Sequence, residues 1–227
     1  GSTGRSVPVC RLDGVGFGYT EGSKLFEGAT FSVDVNSRVA VLGRNGCGKS
    51  TLIKILLGQL TATSGTVTKD PGCRIEYIAQ HHLDQLDGSS TPMEFALQMY
   101  PEDESFNHEQ RMRMHLAAFG LGGTTLPFQR IHTLSGGQRC RLSMALVMYR
   151  RPHFLIMDEP TNHLDMETSD ALAAAIKTFQ GGILIVSHDQ HLLSKVCTEL
   201  LVVRAHRVKK FDGTVEQYKK RVISGAW

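Results

Sequence analysis

Arg38-Val-Ala-Val-Leu42 runs directly into Gly43-Arg44-Asn45-Gly46-Cys47-Gly48-Lys49-Ser50-Thr51, and the aliphatic residues of Ser50–Leu57 then recur at helical spacing up to Gly58. An apolar strand, a GxxxxGK[ST] loop and a helix closed by glycine make one phosphate-binding unit. Its glycines let successive backbone amides close around phosphate oxygens, and the helix N-terminus adds partial positive charge. Here Lys49 is expected to reach the β- and γ-phosphates of a nucleotide, and the Ser50 hydroxyl to ligate Mg2+. The expected cradle is Gly43, Arg44, Asn45, Gly46, Cys47, Gly48, Lys49, Ser50 and Thr51. A glycine-rich turn before an ordinary helix is the plainer alternative, and the flanking strand and helix argue against it.

Two further stretches extend this chemistry. Phe154-Leu-Ile-Met157 leads into Asp158-Glu159, an apolar strand ending in two carboxylates. Beside a phosphate loop, Asp158 suits the Mg2+ shell, and Glu159 is placed to orient or deprotonate an attacking water. Leu134-Ser135-Gly136-Gly137-Gln138 then precedes Arg139–Tyr149, whose Leu142, Ala145, Leu146 and Tyr149 share a helical face. Serine and paired glycines at a helix start form a second anion-binding geometry. One nucleotide does not need two cradles in one subunit, so the second is expected to serve the nucleotide of another subunit.

With these motifs in place, the chain resembles the ATP-binding cassette superfamily over almost its whole length. The resemblance implies ATP and Mg2+ as cofactors and hydrolysis by paired cassettes. It assigns Tyr19 to stacking on adenine, with Phe17 as the competing aromatic, and Gln80 to Mg2+ and the lytic water. It also implies that Leu164-Asp165 crosses the dimer interface and that His188, in Val186-Ser-His-Asp189, contacts the γ-phosphate. Catalysis would fall to Glu159, His188, Gln80 and Lys49, and metal binding to Ser50, Gln80 and Asp158. Ser135, Gly136, Gly137 and Gln138 would close over the ATP of a partner cassette.

Glu159-Pro-Thr-Asn-His-Leu-Asp165 and Phe211-Asp-Gly-Thr-Val-Glu-Gln-Tyr218 resemble the ABC-F branch, cytoplasmic twin-cassette proteins of which many act on ribosomes. Glu94–Pro101 and Ser143–Pro152 resemble the C-terminal cassette of a eukaryotic member. Two positions depart from the pattern: Cys47 stands where alanine is common, and Gln190 where arginine often follows Ser-His-Asp. An ATPase subunit of a membrane transporter and a nucleotide-dependent assembly module are the competing classes. Asn162-His163 argues against the first, and the intact Lys49, Asp158, Glu159 and His188 against the second.

The bulk properties agree. At 227 residues and 41% hydrophobic content the chain can bury a sizeable core, and no apolar run is long enough to cross a bilayer. Gly1-Ser-Thr-Gly reads as a cloning scar, so residues 1–6 are set apart from a single cassette over 7–227. Strands are expected at Val9–Phe17, Thr30–Val35, Thr66–Lys69, Arg74–Ile78, Ile183–Val186 and Leu200–Val203, and helices at Ser169–Phe179 and Gln190–Thr198. Pro92–Leu121 reads as helices broken at Tyr100-Pro101, within a helical subdomain of about residues 83–134. The expected fold class is α/β: a P-loop nucleotide-binding domain with a mixed core sheet, an antiparallel β subdomain and that helical subdomain.

Five scattered cysteines without a CxxC pair point to a reduced, intracellular protein rather than to zinc or disulfides. The net charge of +3 hides a basic end. From Leu200 onward, Arg204, Arg207, Lys209, Lys210, Lys219, Lys220 and Arg221 face only Asp212 and Glu216. Such a segment suits RNA or anionic lipid, or is simply a solvated face.

Overall fold

The computed structural model describes residues 8–79, 86–101, 106–162 and 164–225. Its strands are β1 (Cys10–Phe17), β2 (Phe26–Val33), β3 (Arg38–Leu42), β4 (Ser64–Lys69), β5 (Ile75–Ala79), β6 (Phe154–Asp158), β7 (Gly182–Val186), β8 (Glu199–Arg204) and β9 (Arg207–Phe211). The helices are α1 (Lys49–Leu57), α2 (Pro92–Met99), α3 (Phe106–Ala118), α4 (Gly136–Tyr149), α5 (Met166–Thr178), α6 (Gln190–Val196) and α7 (Val215–Ser224). Two compact units form: Gly1–Ile78 with Pro152–Pro160 and Gln180–Trp227, and Ala79–Arg151 with Thr161–Phe179.

The first unit carries the sheet, whose strand order is β4-β1-β2-β9-β8-β3-β7-β6-β5. β3 pairs in parallel with β7 and with β8, and β6 in parallel with β7. These strands read as continuous apolar runs because both their faces are covered, and every residue of β7 is buried. Full burial of side chains such as Val41, Ile156 and Leu184 stabilises the sheet by about 1.5–3 kcal/mol each. β1 pairs antiparallel with β2 and β4, and β8 with β9. A single parallel bridge, Glu27 to Arg207, joins β2 to β9 and so links the antiparallel flank to the core.

One close approach fixes the start of β7. A Cβ on Gly182 would collide with the Asp34 carbonyl oxygen and the Phe154 ring. Neither can move without disturbing packed backbone or a buried aromatic. Overpacking of this kind costs about 1–3 kcal/mol, so Gly182→Ala should lower Tm by about 3 °C or more. Differential scanning calorimetry checks this, and an unchanged Tm would mean that the sheet gives way more easily than its packing implies.

The second unit is helical and has its own core of Met93, Met112, Leu116, Leu121, Leu142 and Leu146. α2 starts at a reciprocal cap, in which Thr91 accepts from the Glu94 amide while Glu94 accepts from the Thr91 amide. It stops at Met99, ahead of Tyr100-Pro101, and the Tyr100 hydroxyl donates to the Leu146 carbonyl oxygen at 2.6 Å. α5 begins at Met166, three residues before the expected Ser169, because Asp165 caps it by accepting from the Thr168 amide at 2.7 Å.

Candidate functional site

The loop between β3 and α1 turns on Gly48, whose φ of 109° lies where other residues are strained, and this delivers Lys49 as the first helical residue. The Lys49 ammonium folds back into the loop, donating to the Gly43 carbonyl at 2.8 Å and the Arg44 carbonyl at 3.0 Å. Only 8% of Lys49 is exposed, so its charge is held inside the cradle with carbonyl dipoles as its partners.

The end of β6 meets this loop. Ser50 donates its hydroxyl proton to Asp158 Oδ2 at 3.3 Å, and the Tyr77 hydroxyl, from β5, reaches the same oxygen at 3.5 Å. Burial pushes the Asp158 carboxyl above the usual carboxylate range, partly offset by the Ser50 hydrogen bond, the Lys49 charge and the Tyr77 hydrogen bond. Burial therefore works against the ionised form, and that contribution to stability is lost as pH rises through the folded-state pKa. Asp158→Asn should raise Tm at pH 7, with a gain that shrinks as pH falls toward 4. A Tm series across that range measures it, and a loss of Tm at pH 7 would contradict the sign.

Glu159 has a φ of 50°, a left-handed conformation that costs a non-glycine residue free energy. Its amide donates to the Val186 carbonyl at 2.7 Å, which pins the turn to the end of β7. The carboxylate accepts from the His188 amide at 3.2 Å, and its other oxygen lies 3.4 Å from His188 Nε2. His188 Nε2 also faces Asn45 Oδ1 at 3.1 Å. Between two acceptor oxygens, Nε2 is the nitrogen that carries the proton. The side chain of Glu159 is 19% exposed and that of His188 60%, so the acid is sheltered and the imidazole open.

Tyr19 sits at the mouth, 65% exposed, with its hydroxyl 2.9 Å from Thr51 Oγ1. Phe17 packs edge-on against it at 5.0 Å between centroids but is buried. Of the two aromatics, Tyr19 is the one with a face left for a ligand. Tyr19, Asn45, Lys49, Ser50, Asp158 and Glu159 all line one cavity of about 430 Å³.

Gln80 and His163 lie outside the described residues. Tyr77 is the member of this cluster that the sequence did not single out; its only signal was an aromatic near the end of the strand expected to lead to Gln80. In the second unit, Ser135 caps α4, accepting from the Gln138 amide at 3.2 Å while Gln138 Oε1 accepts from the Ser135 amide at 2.8 Å. Gly136 and Gly137 form the first turn behind that cap.

The donor set fits a hard divalent cation. Ser50, Asp158 and Tyr77 offer oxygens only, as Mg2+ prefers. Among the described residues there is no group of three or more His, Cys, Asp or Glu that could hold a metal ion.

The model of one protein family, ABC transporter, matches residues 26–162. The chain belongs to that family. An uncharacterized ABC transporter ATP-binding protein of Schizosaccharomyces pombe is 45% identical over 219 residues, covering 96% of this chain and 29% of the relative. ABC transporter F family member 3 of Arabidopsis thaliana is 42% identical over 217 residues, covering 96% of this chain and 30% of its own. Relatives of this kind place the chain in the ABC-F branch as one cassette, and the chain spans about three-tenths of the length of the curated relatives it matches. The solved structure of cbiO1 from Clostridium perfringens superposes with a TM-score of 0.76 at 24% identity, covering 96% of this chain and 94% of that one. At that identity the likeness bears on the fold, which is the α/β fold of ABC nucleotide-binding domains. The family is one of ATP-binding, ATP-hydrolysing cassettes, and no helix of the described residues is long and apolar enough to cross a membrane.

Proposed function

We propose that this cassette binds MgATP in the Tyr19–Lys49–Asp158 cavity and hydrolyses it when a second cassette covers the nucleotide. The convergence of Ser50, Asp158 and Glu159 on the mouth of the Lys49 loop is the observation that carries this reading. Tyr19 presents its ring to adenine, and the amides of Gly43–Thr51 and the Lys49 ammonium hold the phosphates. Ser50 and Asp158 hold Mg2+, with Gln80 as a third ligand; the ion, when bound, neutralises charge on the phosphate oxygens. Glu159, sheltered and oriented by His188, accepts the proton of the attacking water, and His188 then turns its Nε2–H from Asn45 to the γ-phosphate.

Ser135, Gly136, Gly137 and Gln138 serve the partner's nucleotide. What supports this is the reciprocal Ser135–Gln138 cap at the start of α4, which makes a second anion-binding helix start in addition to the Lys49 loop. Two cassettes then meet head to tail, with Leu164-Asp165 near the join, so that ATP brings them together and hydrolysis parts them. The whole protein is cytoplasmic, carries a second cassette and acts on ribosomes in translation. Co-sedimentation tests that last step. With ATP, the Glu159→Gln form of the twin-cassette protein should pellet with ribosomes and stay soluble with membranes, and the reverse partition would favour a transporter subunit.

A further inference from the structure

The nucleotide reading leaves the basic end of the chain unused, and there the structure forms a recess rather than a flat charged face. Between the β8–β9 hairpin and α7 lies a groove of about 580 Å³, lined by Arg204, Arg207, Lys209, Lys210 and Arg221 against a single carboxylate, Asp212. We propose that this groove binds the phosphodiester backbone of single-stranded RNA.

Three observations carry the proposal. Arg204 and Arg207 stand directly opposite each other in the antiparallel register of β8 and β9. Two cations in that relation raise the positive potential at the end of the hairpin, where a polyanion would be drawn. Lys210 is paired with Glu199 at 2.9 Å, and Glu27 lies in the field of Arg207 but is engaged by Lys24 at 2.6 Å. Among the described residues, no carboxylate is within ion-pair distance of Lys209 or Arg221.

The second observation is rigidity. Ala205 and His206 turn the hairpin with φ of 47° and 60°, two consecutive left-handed residues of which neither is glycine. The turn is held by the Glu27 amide donating to the His206 carbonyl at 2.8 Å, and by His206 Nδ1 facing the Leu25 carbonyl at 3.2 Å. The backbone that carries the cations at its base is thus set before any ligand arrives, which lowers part of the ordering cost of binding. Third, the Arg221 guanidinium lies over the buried Phe211 ring at 5.3 Å, which steadies a planar cation of the kind on which bases stack.

A recess suits a strand better than a membrane. A bilayer surface is broad and cannot enter a groove, whereas Arg207 and Lys209, two residues apart on one strand, are spaced by about 6.8 Å, a separation that lets them take successive phosphates of an extended chain.

The test is fluorescence anisotropy with a labelled 20-nucleotide polyuridylate across a salt series, using the whole chain. Arg207→Gln with Lys209→Gln should flatten the slope of log K against log salt by about 1.4, so that between 50 and 200 mM salt the affinity falls about seven-fold less than for the parent. Lys219→Gln with Lys220→Gln removes the same charge outside the groove and should leave the slope within experimental error of the parent's. Equal flattening by both pairs, or no binding of polyuridylate at 50 mM salt, overturns the proposal. So does binding to vesicles of phosphatidylcholine with 30% phosphatidylserine in place of RNA. The groove does not depend on the nucleotide reading: ATP binding by the same variants reports on that site separately, and a Tm no lower than the parent's shows that they fold.

Discussion

Glu159→Gln should bind ATP as tightly as the parent yet turn it over at least about 100-fold more slowly, the scale at which positioned general bases act. The substitution keeps the size of the side chain and one acceptor oxygen. The bond from the His188 amide at 3.2 Å can therefore survive, and so can the tie of the Glu159 amide to Val186, on which the left-handed turn depends. What is removed is the ability to take a proton. A variant that loses affinity instead would mean that Glu159 chiefly shapes the cradle. One that keeps its turnover would remove it from the chemistry. Single-turnover hydrolysis and equilibrium ATP binding, measured on the same preparation, separate the three outcomes.

Lys49→Met should raise the Kd for MgATP about 100-fold. The ammonium is already desolvated, with its protons on the Gly43 and Arg44 carbonyls at 2.8 and 3.0 Å, so turning to phosphate exchanges neutral acceptors for charged ones. Hydrogen bonds to charged groups contribute about 1.5–3 kcal/mol, and two of them account for the expected loss. Methionine matches the stem and offers no proton. Titration calorimetry gives the number, and a shift below about three-fold would show that the loop amides hold the phosphates without help.

These expectations rest on parts of the chain that were plain in the sequence, because their pattern and their chemistry coincide. β3, β6 and β7 are continuous apolar runs, since both faces are covered, and each ends at a loop whose residue types have few other uses. The less legible parts are those where burial is thin. β9 buries only Val208 and Phe211 among lysines and an arginine, and α7 buries only Val215. β9 lacks the apolar alternation of a strand, whereas α7 places Val215, Tyr218 and Val222 at helical spacing behind a Thr214–Gln217 capping box but is short and largely exposed. β2 reaches back to Phe26, not Thr30, because Gly28, at a φ of 66°, interrupts the alternation that would mark its start. The choice between Phe17 and Tyr19 could not be settled by spacing, as Phe17 ends the first strand and Tyr19 follows two residues later. It turns on exposure, which is a tertiary property.

Catalysis should require two cassettes, and ATP turnover per subunit against protein concentration tests this, with mass determined by light scattering at each point. Turnover should rise with concentration and fall toward zero on dilution, with Glu159→Gln collecting as an ATP-dependent dimer. Turnover per subunit that stays constant far below the dimerisation range, from a chain that scatters as a monomer, would contradict it.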